Sequence, residues 1–335
     1  MRILVVGGTG FIGAPLVQSL WDGGHDVTVF HRGNTEPQFP PDVQHVHSPD
    51  AAYPILHFPA ELAQDWDVVL HVMLMNAAET QAAMQFFRGR SGRFVVVSSG
   101  DVYAAYGRLI GIEPDTTNIP AVQTEEAPLR SHWYPYGREA RGPWGELRDY
   151  DKILVERAVS ADPQMPATIL RLPMVFGPGD KQRRFARFLQ RMIDGRPSIF
   201  ISESEAKWRA THDYVENVAA AIAHAAVHMD APHQTFNVGE AATPTMRERL
   251  EDFARVAEWR GAIEVLSDYE TPPALRPPFP LKNDLVLDTS KIRLKLAFAT
   301  PVPYDMRLRR TIDWVRAQPR LDLDYGSDDR LAAAG

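Results

Sequence analysis

The chain begins with Met1-Arg-Ile-Leu-Val-Val-Gly-Gly-Thr-Gly-Phe-Ile-Gly13. The run from Ile3 to Val6 is apolar and rich in β-branched residues, which is typical of a buried strand. Apolar spacing predicts a helix from Ala14 to Trp21, and a second strand is expected over Asp26 to Phe30. Glycine-rich turns that lie between a strand and a helix in this way bind the pyrophosphate of a dinucleotide.

Each glycine of the G-x-x-G-x-x-G pattern has a physical role. Gly7 allows the tight turn out of the strand, Gly10 has no Cβ to keep a pyrophosphate from the backbone, and Gly13 lets the helix pack closely. The helix N-terminus adds N–H groups and a positive dipole end. The residues between the glycines complete the predicted cofactor loop: Thr9, Phe11 and Ile12. The alternative is a glycine-rich turn that binds no ligand.

The end of the second strand bears on the choice between NAD and NADP. In dinucleotide-binding folds an acidic residue at this position holds the adenosine ribose hydroxyls. Here the position is taken by His31, followed by Arg32, so a guanidinium is available for a 2′-phosphate. We therefore expect NADP in preference to NAD, with both residues at the adenosine end. The alternatives are that Arg32 stacks on adenine or is a solvated loop charge.

Length and composition exclude several classes of protein. The chain has 335 residues, 44% of them hydrophobic, with a net charge of -7 and a pI of about 5.9. This is enough for a large domain and a smaller lobe, and a nucleic-acid partner is not expected. The absence of cysteine excludes disulfides and thiolate chemistry, and we predict no metal-binding residues. No apolar run reaches the roughly 18–20 residues of a membrane span, and a core strand stands where a signal peptide would be, so a soluble cytoplasmic protein is expected.

Further along the chain, apolar strands alternate with helical segments. Strands are predicted over Val43–Val46, Asp67–Leu74 and the start of Arg93–Tyr103, with a helix over Asn76–Arg88. Such alternation predicts an α/β fold with a doubly wound parallel sheet, whose ligands bind beyond the carboxyl ends of the strands. That edge is expected to hold the glycine loop, His31 and Arg32, the segment His71–Leu74, and Ser98 and Ser99.

Seven segments spread over almost the whole chain follow one order. They are G-G-T-G-F-I-G (7–13), D-V-V-L-H (67–71), V-V-V-S-S-G-D-V-Y (95–103), L-R-L-P-M-V-F-G-P-G-D (170–180), H-D-Y-V-E-N-V-A (212–219), F-N-V-G-E (236–240) and D-T-S-K-I-R-L-K-L (288–296). Together they resemble the extended short-chain dehydrogenase/reductases of the NAD-dependent epimerase/dehydratase type.

The resemblance implies a domain plan and a set of ligands. The plan is a Rossmann-like domain over 1–176 and 211–239, a smaller α+β substrate lobe over 177–210 and 240–320, and a loose tail over 321–335. Two helical stretches are expected between 241 and 317. The implied ligands are NADP or NAD and a nucleotide-linked sugar, and the implied assembly is a homodimer.

The catalytic residues that the resemblance implies are only partly present. Members of the family carry a Ser or Thr four residues before the tyrosine of a Val-Tyr pair, which here is Ser99. They also carry Tyr-x-x-x-Lys on a helix, where the i, i+4 spacing shares one face and the lysine lowers the tyrosine pKa. Lys152 and Glu156 match the lysine half of this motif. Arg148 stands where the tyrosine belongs, and a guanidinium cannot act as a base.

Three interpretations of the missing tyrosine stay open. Tyr150 acts from a frayed first turn of the helix, which we favour. Alternatively, Tyr136, in the half-match Pro135-Tyr-Gly137, folds back from an insertion over 138–149. In the third interpretation no tyrosine is placed for catalysis, and the protein is a cofactor-binding sensor or an RNA-associated member of the superfamily.

Further site residues follow from the resemblance. Cofactor contacts are expected at Val72, Ser98, Lys152, Pro173 and Val175. Substrate contacts are expected at Arg183 and Arg209, because arginines bind diphosphates bidentately; the alternative for Arg183 is an ordinary basic helix face. Asp101 is expected at the substrate as the one carboxylate close to Ser99, where it allows an elimination step. The segment 133–144 mixes aromatic residues with arginines, which suits a lid or an oligomer contact. The predicted function is an epimerase, dehydratase or reductase that acts on a hydroxyl or keto group of a nucleotide sugar by hydride transfer.

Overall fold

The computed structural model describes residues 1–115, 118–137, 147–277 and 280–334. The central strands of its sheet are apolar along their length, as expected for strands buried on both faces. In chain order the strands are β1 Arg2–Val6, β2 Asp26–His31, β3 Gln44–His47, β4 Val68–His71, β5 Phe94–Ser99, β6 Val122–Gln123, β7 Ala167–Leu172, β8 Met174–Phe176, β9 Ser198–Ser202, β10 His212–Tyr214, β11 Gln234–Asn237, β12 Ala262–Leu266 and β13 Val286–Leu287.

Seven of these strands form one parallel sheet, in the order β11-β7-β5-β4-β1-β2-β3. From β1 the chain builds outward through β2 and β3 on one side, and through β4, β5, β7 and β11 on the other. This reversal opens a crevice beyond the carboxyl ends of the central strands, which is where such sheets bind ligands. The predicted Rossmann-like, doubly wound fold is confirmed.

Helices cover both faces of the sheet and build much of the lobe. In the described part of the chain they are α1 Gly13–Asp22, α2 Ala77–Phe87, α3 Ala104–Leu109, α4 Lys152–Ser160, α5 Ala186–Ile193, α6 Glu203–Lys207, α7 Val215–Val227, α8 Met246–Val256, α9 Ser290–Leu296, α10 Tyr304–Ala317 and α11 Tyr325–Ala334. None of these helices combines the length and the apolar character that a membrane crossing requires.

The sheet is the middle layer between two pairs of helices. In β1, Ile3 and Val5 pack into the core beneath α1 and α7, whereas Leu4 and Val6 pack into the core beneath α2 and α4. Successive side chains of a strand point to opposite faces. A strand that is apolar throughout is therefore stable only between two apolar layers, which explains why the helices must cover both faces.

The C-terminal lobe has a small parallel sheet of its own. Strands β9 and β12 pair with each other, and α6, α8 and α11 pack around them. A separate pairing of β13 with β6 ties residues 286–287 back to the large domain. The two parts of the chain are thus interleaved, and the predicted domain boundaries stay a prediction.

Two predictions of secondary structure differ from the structure: the end of one strand and the number of helices in the C-terminal part. The strand expected to reach Leu74 ends at His71, where the Met73 N–H turns back to the His71 ring at 3.2 Å. Within 241–277 and 280–317, the described parts of the C-terminal stretch, there are three α-helices rather than two. The additional helix is α9, whose buried residues Ile292 and Leu296 are too few to produce a clear helical pattern in the sequence.

The prediction of a loose C-terminal tail is wrong. Residues Tyr325–Ala334 form α11, which lies against β9. Arg191 of α5 donates to both carboxylate oxygens of Asp328, at 2.8 and 3.2 Å, and both side chains are buried. The sequence pattern of the tail could not show this, because its partner lies 137 residues earlier in the chain.

We expect Asp328→Asn to lower the free energy of unfolding by roughly 3–5 kcal/mol, because it leaves a buried guanidinium without its counter-charge. Urea denaturation of the full chain measures this, and limited proteolysis reports release of the tail. The matched control is Asp329→Asn. Asp329 is 64% exposed in its pair with Arg196, so a loss below about 1 kcal/mol is expected. Equal losses for the two variants would contradict docking through Asp328.

Candidate active site

The glycine loop has the geometry predicted for it. Gly7 has a φ of +85°, which side-chain-bearing residues rarely adopt, and it turns the chain out of β1. A Cβ on Gly13 would lie 2.6 Å from the carbonyl oxygen of Gly7, so only glycine lets α1 begin this close to the loop. A Cβ on Gly10 would meet no atom of residues 1–115, 118–137, 147–277 or 280–334 within 4 Å, so the middle of the loop is open to a ligand on their side.

The start of α1 also fits a phosphate group. Ile12 precedes the helix, and no side chain of the described residues caps the first helical N–H groups. Uncapped N–H groups at a helix N-terminus bind anions, aided by the helix dipole. The ring of Phe11 lies 3.3 Å from where a Cβ on Gly179 would be, so the loop also borders the segment that follows β8. The cofactor contacts predicted for Thr9, Phe11 and Ile12 stay predictions.

His31, at the end of β2, is buried, while the following Arg32 is exposed. The His31 ring contacts the rings of His45 and His47, and burial lowers the pKa of His31. Glu36, from the loop after β2, lies 3.0 Å from the His47 ring. His31 and Arg32 therefore lie at the carboxyl end of β2, as expected, and their contacts to the adenosine end of a cofactor stay predictions. His31 also belongs to a histidine cluster that was not predicted from the sequence.

Lys152 is the first residue of α4, and Asp151 caps this helix by accepting a hydrogen bond from the Ile153 N–H at 2.9 Å. The ammonium group of Lys152 donates to the carbonyl oxygens of Leu74 and, at 2.9 Å, of Val97. Burial lowers the pKa of Lys152 to about 8. The lysine thus lies at the carboxyl ends of β4 and β5, the edge predicted for the cofactor.

Tyr150 lies before the cap of α4 and not in the first helical turn. Its hydroxyl donates to Oδ2 of Asp101 at 2.6 Å and also bonds with the Ser99 hydroxyl. Because the chain ahead of the cap is not helical, a tyrosine only two residues before Lys152 can still reach Ser99. Burial and the charge of Asp101 raise the pKa of Tyr150 well above its usual value, so its hydroxyl is protonated at neutral pH.

Tyr136 reaches the same carboxylate. Its hydroxyl lies 3.5 Å from Oδ2 of Asp101 and 3.2 Å from the Tyr106 hydroxyl. The ring centroids of Tyr136 and Tyr150 are 5.3 Å apart. Both candidate tyrosines are therefore in the site, and the shorter hydrogen bond to Asp101 belongs to Tyr150. Residues 138–146, which include most of the predicted insertion and lid, lie outside the described residues.

Asp101 connects these groups and is only 6% exposed. It lies in the turn Gly100–Val102, which Ser99 caps by accepting a hydrogen bond from the Asp101 N–H at 3.2 Å. The Arg130 side chain donates to the Asp101 carbonyl oxygen at 2.5 Å and pairs with Asp151. Burial raises the pKa of the Asp101 carboxyl. Its Oδ1 is buried and has no hydrogen-bond partner among the described residues, so it can accept one from a substrate.

A cleft of about 1030 Å³ lies beside these groups. Its polar lining includes Ser99 and Asp101 at the end of β5, Tyr136, and the basic residues Lys181, Arg183, Arg184 and Arg187 that follow β8. Glu205, Thr211 and His212 also line it. Arg184 pairs with Asp180, and Arg187 pairs with Glu205. By contrast, Nε and Nη2 of Arg183 are buried without a hydrogen-bond partner in the part of the chain described. Arg183 therefore has donors available for an anionic ligand.

Comparison with known proteins identifies the family. Residues 3–239 match the model of the NAD dependent epimerase/dehydratase family. The chain belongs to this family. A 2-alkyl-3-oxoalkanoate reductase of Stenotrophomonas maltophilia (strain K279a) is 29% identical over 232 residues, 67% of this chain and 64% of the relative. A 2′-dehydrokanamycin reductase of Streptomyces kanamyceticus is 29% identical over 234 residues, 67% of this chain and 57% of the relative. The match therefore spans less than two thirds of either relative.

Solved structures of similar fold include the UDP-glucuronic acid 4-epimerase from Bacillus cereus in complex with UDP-glucuronic acid and NAD. Its TM-score is 0.66 at 17% sequence identity, and the match covers 94% of this chain and 99% of that one. Similarity at this identity concerns the fold alone. It confirms the Rossmann-like architecture of this epimerase/dehydratase family member.

The Ser98 hydroxyl does not face the cleft. The hydroxyl donates to Oε1 of Glu156 at 2.5 Å, and Glu156 in turn accepts two hydrogen bonds from Arg171, at 2.9 and 2.7 Å. Arg171 also donates to the Tyr103 hydroxyl at 2.9 Å. Consecutive strand residues face opposite sides, so Ser99 faces the cleft while Ser98 joins a buried network. A cofactor contact through the Ser98 side chain is therefore not supported.

Three other predicted cofactor residues of the family lie at the carboxyl edge of the sheet. The Val72 N–H continues the β1 ladder by donating to the Val6 carbonyl oxygen at 3.0 Å. Pro173 lines the cleft, and the carbonyl oxygen of Val175 accepts a hydrogen bond from Arg184 at 2.7 Å. Their contacts to a cofactor stay predictions.

Arg209 is placed away from the other predicted substrate residues. It is exposed and lines a second cavity, where its Nε donates to the Thr243 carbonyl oxygen at 3.0 Å. The backbone N–H of Arg209 donates to the Asp284 carboxylate at 2.9 Å, which anchors it on that side of the lobe. The structure does not bring Arg209 together with Arg183, and an expectation based on charge alone could not distinguish the two cavities.

Proposed function

We propose that this chain is an NAD(P)-dependent oxidoreductase that acts on a hydroxyl or keto group of a nucleotide-linked sugar. The observation that carries the proposal is the hydrogen-bonded series Ser99–Tyr150–Asp101, which lies at the same sheet edge as Lys152. When a hydride is added to or removed from a carbonyl carbon, the attached oxygen must gain or lose a proton. Hydride transfer therefore requires an acid/base group close to the dinucleotide, which is the arrangement proposed here.

The proton route follows from the pKa shifts of the chain's own residues. Tyr150 is protonated, so when a keto group is reduced it donates its proton to the substrate oxygen and takes a replacement proton from the Asp101 carboxyl group. In the oxidative direction, Tyr150 takes the substrate proton as it passes its own to Asp101, whose carboxyl pKa burial raises. Asp101 thus supplies the base that the family resemblance assigns to a tyrosine alone. Ser99 orients the substrate oxygen.

The residues at the crevice fit a nicotinamide dinucleotide. The open backbone at Gly10 and the uncapped start of α1 suit its pyrophosphate, and Lys152 is the buried donor available for the ribose next to the nicotinamide. When bound, the nicotinamide ring supplies or takes up the hydride. The family and its structurally similar members support this cofactor class.

Arg183 supports a nucleotide-linked sugar as the substrate. Its Nε and Nη2, which are buried and have no hydrogen-bond partner among the residues that the structure describes, belong to the wall of the cleft that also contains Ser99 and Asp101. A guanidinium binds phosphate oxygens bidentately, and a buried one gains most from such a partner. The structurally similar Bacillus cereus epimerase is in complex with UDP-glucuronic acid, which agrees with this assignment.

Reduction of a 3-oxo acid is the second candidate function. The two curated relatives are named as reductases, one of them of 2-alkyl-3-oxoalkanoates. Many apolar side chains line the cleft and suit an alkyl chain, among them Ile110, Met174, Phe188 and Leu285. In this candidate Arg183 binds a carboxylate. The non-catalytic alternative is not favoured, because the matched family and relatives are enzymes.

The preference for NADP is also part of the proposal. It is supported by the exposed Arg32 and by a histidine at the strand end where an acidic residue would repel a 2′-phosphate. The homodimer belongs to the proposal as well and rests on the family resemblance.

A substrate panel tests the proposed function. We expect turnover, followed by nicotinamide absorbance and product chromatography, with UDP-glucose or UDP-glucuronic acid. Arg183→Gln should raise KM for that substrate by about 10-fold or more, since it removes charge-assisted hydrogen bonds. Arg260→Gln is the matched control, because Arg260 is exposed and does not line the cleft. Turnover of 3-oxoalkanoates and not of sugar nucleotides would favour the second candidate, and turnover of neither would refute both.

The roles of the two tyrosines are separable by substitution. We expect Tyr150→Phe to lower kcat by about 10²–10⁴-fold with little change in cofactor affinity, because it removes the proton donor. Tyr136→Phe, the matched variant, should cost less than about 10-fold, since its contact with Asp101 is longer. A larger loss for Tyr136→Phe than for Tyr150→Phe would assign the proton transfer to Tyr136 instead.

The cofactor preference depends on one exposed side chain. We expect Arg32→Ala to weaken NADPH binding by about 10-fold and to leave NADH binding within about twofold, because only NADPH carries the 2′-phosphate. Isothermal titration with each cofactor measures both affinities. Equal losses for the two cofactors would mean that Arg32 stacks on the adenine, and no loss for either would mean that it stays in solvent.

A further inference from the structure

Regular sheet geometry brings three histidines to one place beside the cofactor crevice. His31 is the last residue of β2, and His47, the last residue of β3, pairs with it in register. His45 precedes His47 by two residues, and residues two apart in a strand share one face. Glu36 reaches the same point from the loop between the two strands. None of the four takes part in the proposed proton route.

The side-chain atoms of these residues converge. Nε2 of His31 lies 2.9 Å from Nδ1 of His45 and 3.0 Å from Nε2 of His47. The Glu36 carboxylate lies 3.0 Å from Nε2 of His47 and 3.6 Å from Nδ1 of His45. Together they provide one ligand atom each, all within 4.8 Å of one another.

Hydrogen bonds among neutral imidazoles cannot satisfy this arrangement. A ring nitrogen carries either one proton or one lone pair. Nε2 of His31 nevertheless faces two other ring nitrogens at close range, so it can make a well-directed hydrogen bond to only one of them. If His47 donates to Glu36, its proton is no longer directed at His31. At least one of these close nitrogen–nitrogen contacts therefore lacks a hydrogen bond, unless a cation accepts the lone pairs of the ring nitrogens.

We propose that His31, His45, His47 and Glu36 form a zinc site. Three imidazole nitrogens and one carboxylate oxygen are ligands that Zn²⁺ accepts in a tetrahedron. With metal–ligand bonds of about 2.0–2.1 Å, the ligand atoms of a tetrahedron lie about 3.3–3.4 Å apart. The contacts of the His31 ring with His45 and His47, 2.9 and 3.0 Å, and that of Glu36 Oε1 with His47, 3.0 Å, are a few tenths of an ångström shorter than that separation, so small side-chain shifts would admit the cation. The second carboxylate oxygen of Glu36, Oε2, lies 3.6 Å from His45. A single cation at their centre receives all four lone pairs.

Binding the cation requires one change of tautomer. Nδ1 of His31 now accepts a hydrogen bond from the Gly33 N–H at 3.2 Å, which leaves the proton of the neutral ring on Nε2. With zinc on Nε2 the proton moves to Nδ1, and this long contact is given up. Gly33 has a φ of +81° and no side chain, so the turn can adjust locally.

The site would fasten the β2–β3 connection to the edge of the sheet. The ligands come from both strands and from the loop between them, and Arg32 lies directly beside His31. Zinc would therefore hold in place the segment that carries the residues proposed for the adenosine end. The zinc site itself rests only on the cluster geometry and does not require the proposed enzymatic activity.

Metal titration of the purified full-length chain tests the site. After removal of bound metal with a chelator, we expect one Zn²⁺ per chain by calorimetry, a higher unfolding temperature with zinc, and a tetrahedral Co²⁺ visible spectrum. The double variant His45→Ala/His47→Ala should bind zinc about 100-fold more weakly or worse, because two of four ligands are lost. Glu36→Gln should weaken binding by about 10-fold while keeping three ligands.

The control is His57→Ala, which removes an exposed histidine outside the cluster and should leave zinc affinity unchanged. Failure of the wild-type chain to bind zinc stoichiometrically would overturn the proposal. Binding that is equally strong in the double variant would also overturn it, by placing the metal elsewhere. Because these measurements contain no substrate or nicotinamide, their failure is distinct from a failure of the proposed oxidoreductase activity.

Discussion

Asp101 is a buried carboxylate that accepts a hydrogen bond from Tyr150, and the geometry of the candidate active site depends on this contact. A buried charge is tolerated only when neighbouring groups donate to it or balance it. Arg130 holds the backbone of Asp101, and the Tyr150 hydroxyl compensates its side chain. The same contact directs the Tyr150 hydroxyl toward Ser99, although Tyr150 stands two and not four residues before Lys152. The need to compensate one charge thus positions an acid/base group.

A second buried network supports the site from behind the sheet. Glu156 accepts hydrogen bonds from Ser98 and from Arg171, and Arg171 also donates to the Tyr103 hydroxyl. Burial by itself lowers the pKa of Arg171, but the hydrogen bonds and charge of Glu156 outweigh it, so the pKa of Arg171 is raised and its guanidinium stays charged. Since α4 carries both Glu156 and Lys152, this ion pair fixes the helix against β5 and β7. The lysine is thereby held at the cofactor edge before any ligand binds.

The sequence predicted local features well and interactions between distant residues poorly. The strand–glycine turn–helix geometry of the first thirteen residues was predicted correctly, because all of its constraints are local. The docked C-terminal helix was missed because Arg191 and Asp328 meet only in three dimensions. Arg183 and Arg209 look equivalent by charge, yet they line different cavities. The H-x-H spacing of His45 and His47 on a strand was a usable signal that both rings share one face, but His31 joins them only through the pairing of β2 with β3.

The parallel sheet and the tight glycine turn between β1 and α1 were predictable from the sequence alone, because apolar periodicity and glycine geometry act over a few residues. Only the tertiary structure decided which tyrosine reaches Asp101, which serine faces the cleft and which arginine keeps its donors unpaired. The physical reason is that hydrogen bonds and charges between distant residues depend on strand register and loop path. Neither of these can be read from residue spacing once a motif such as Tyr-x-x-x-Lys is interrupted.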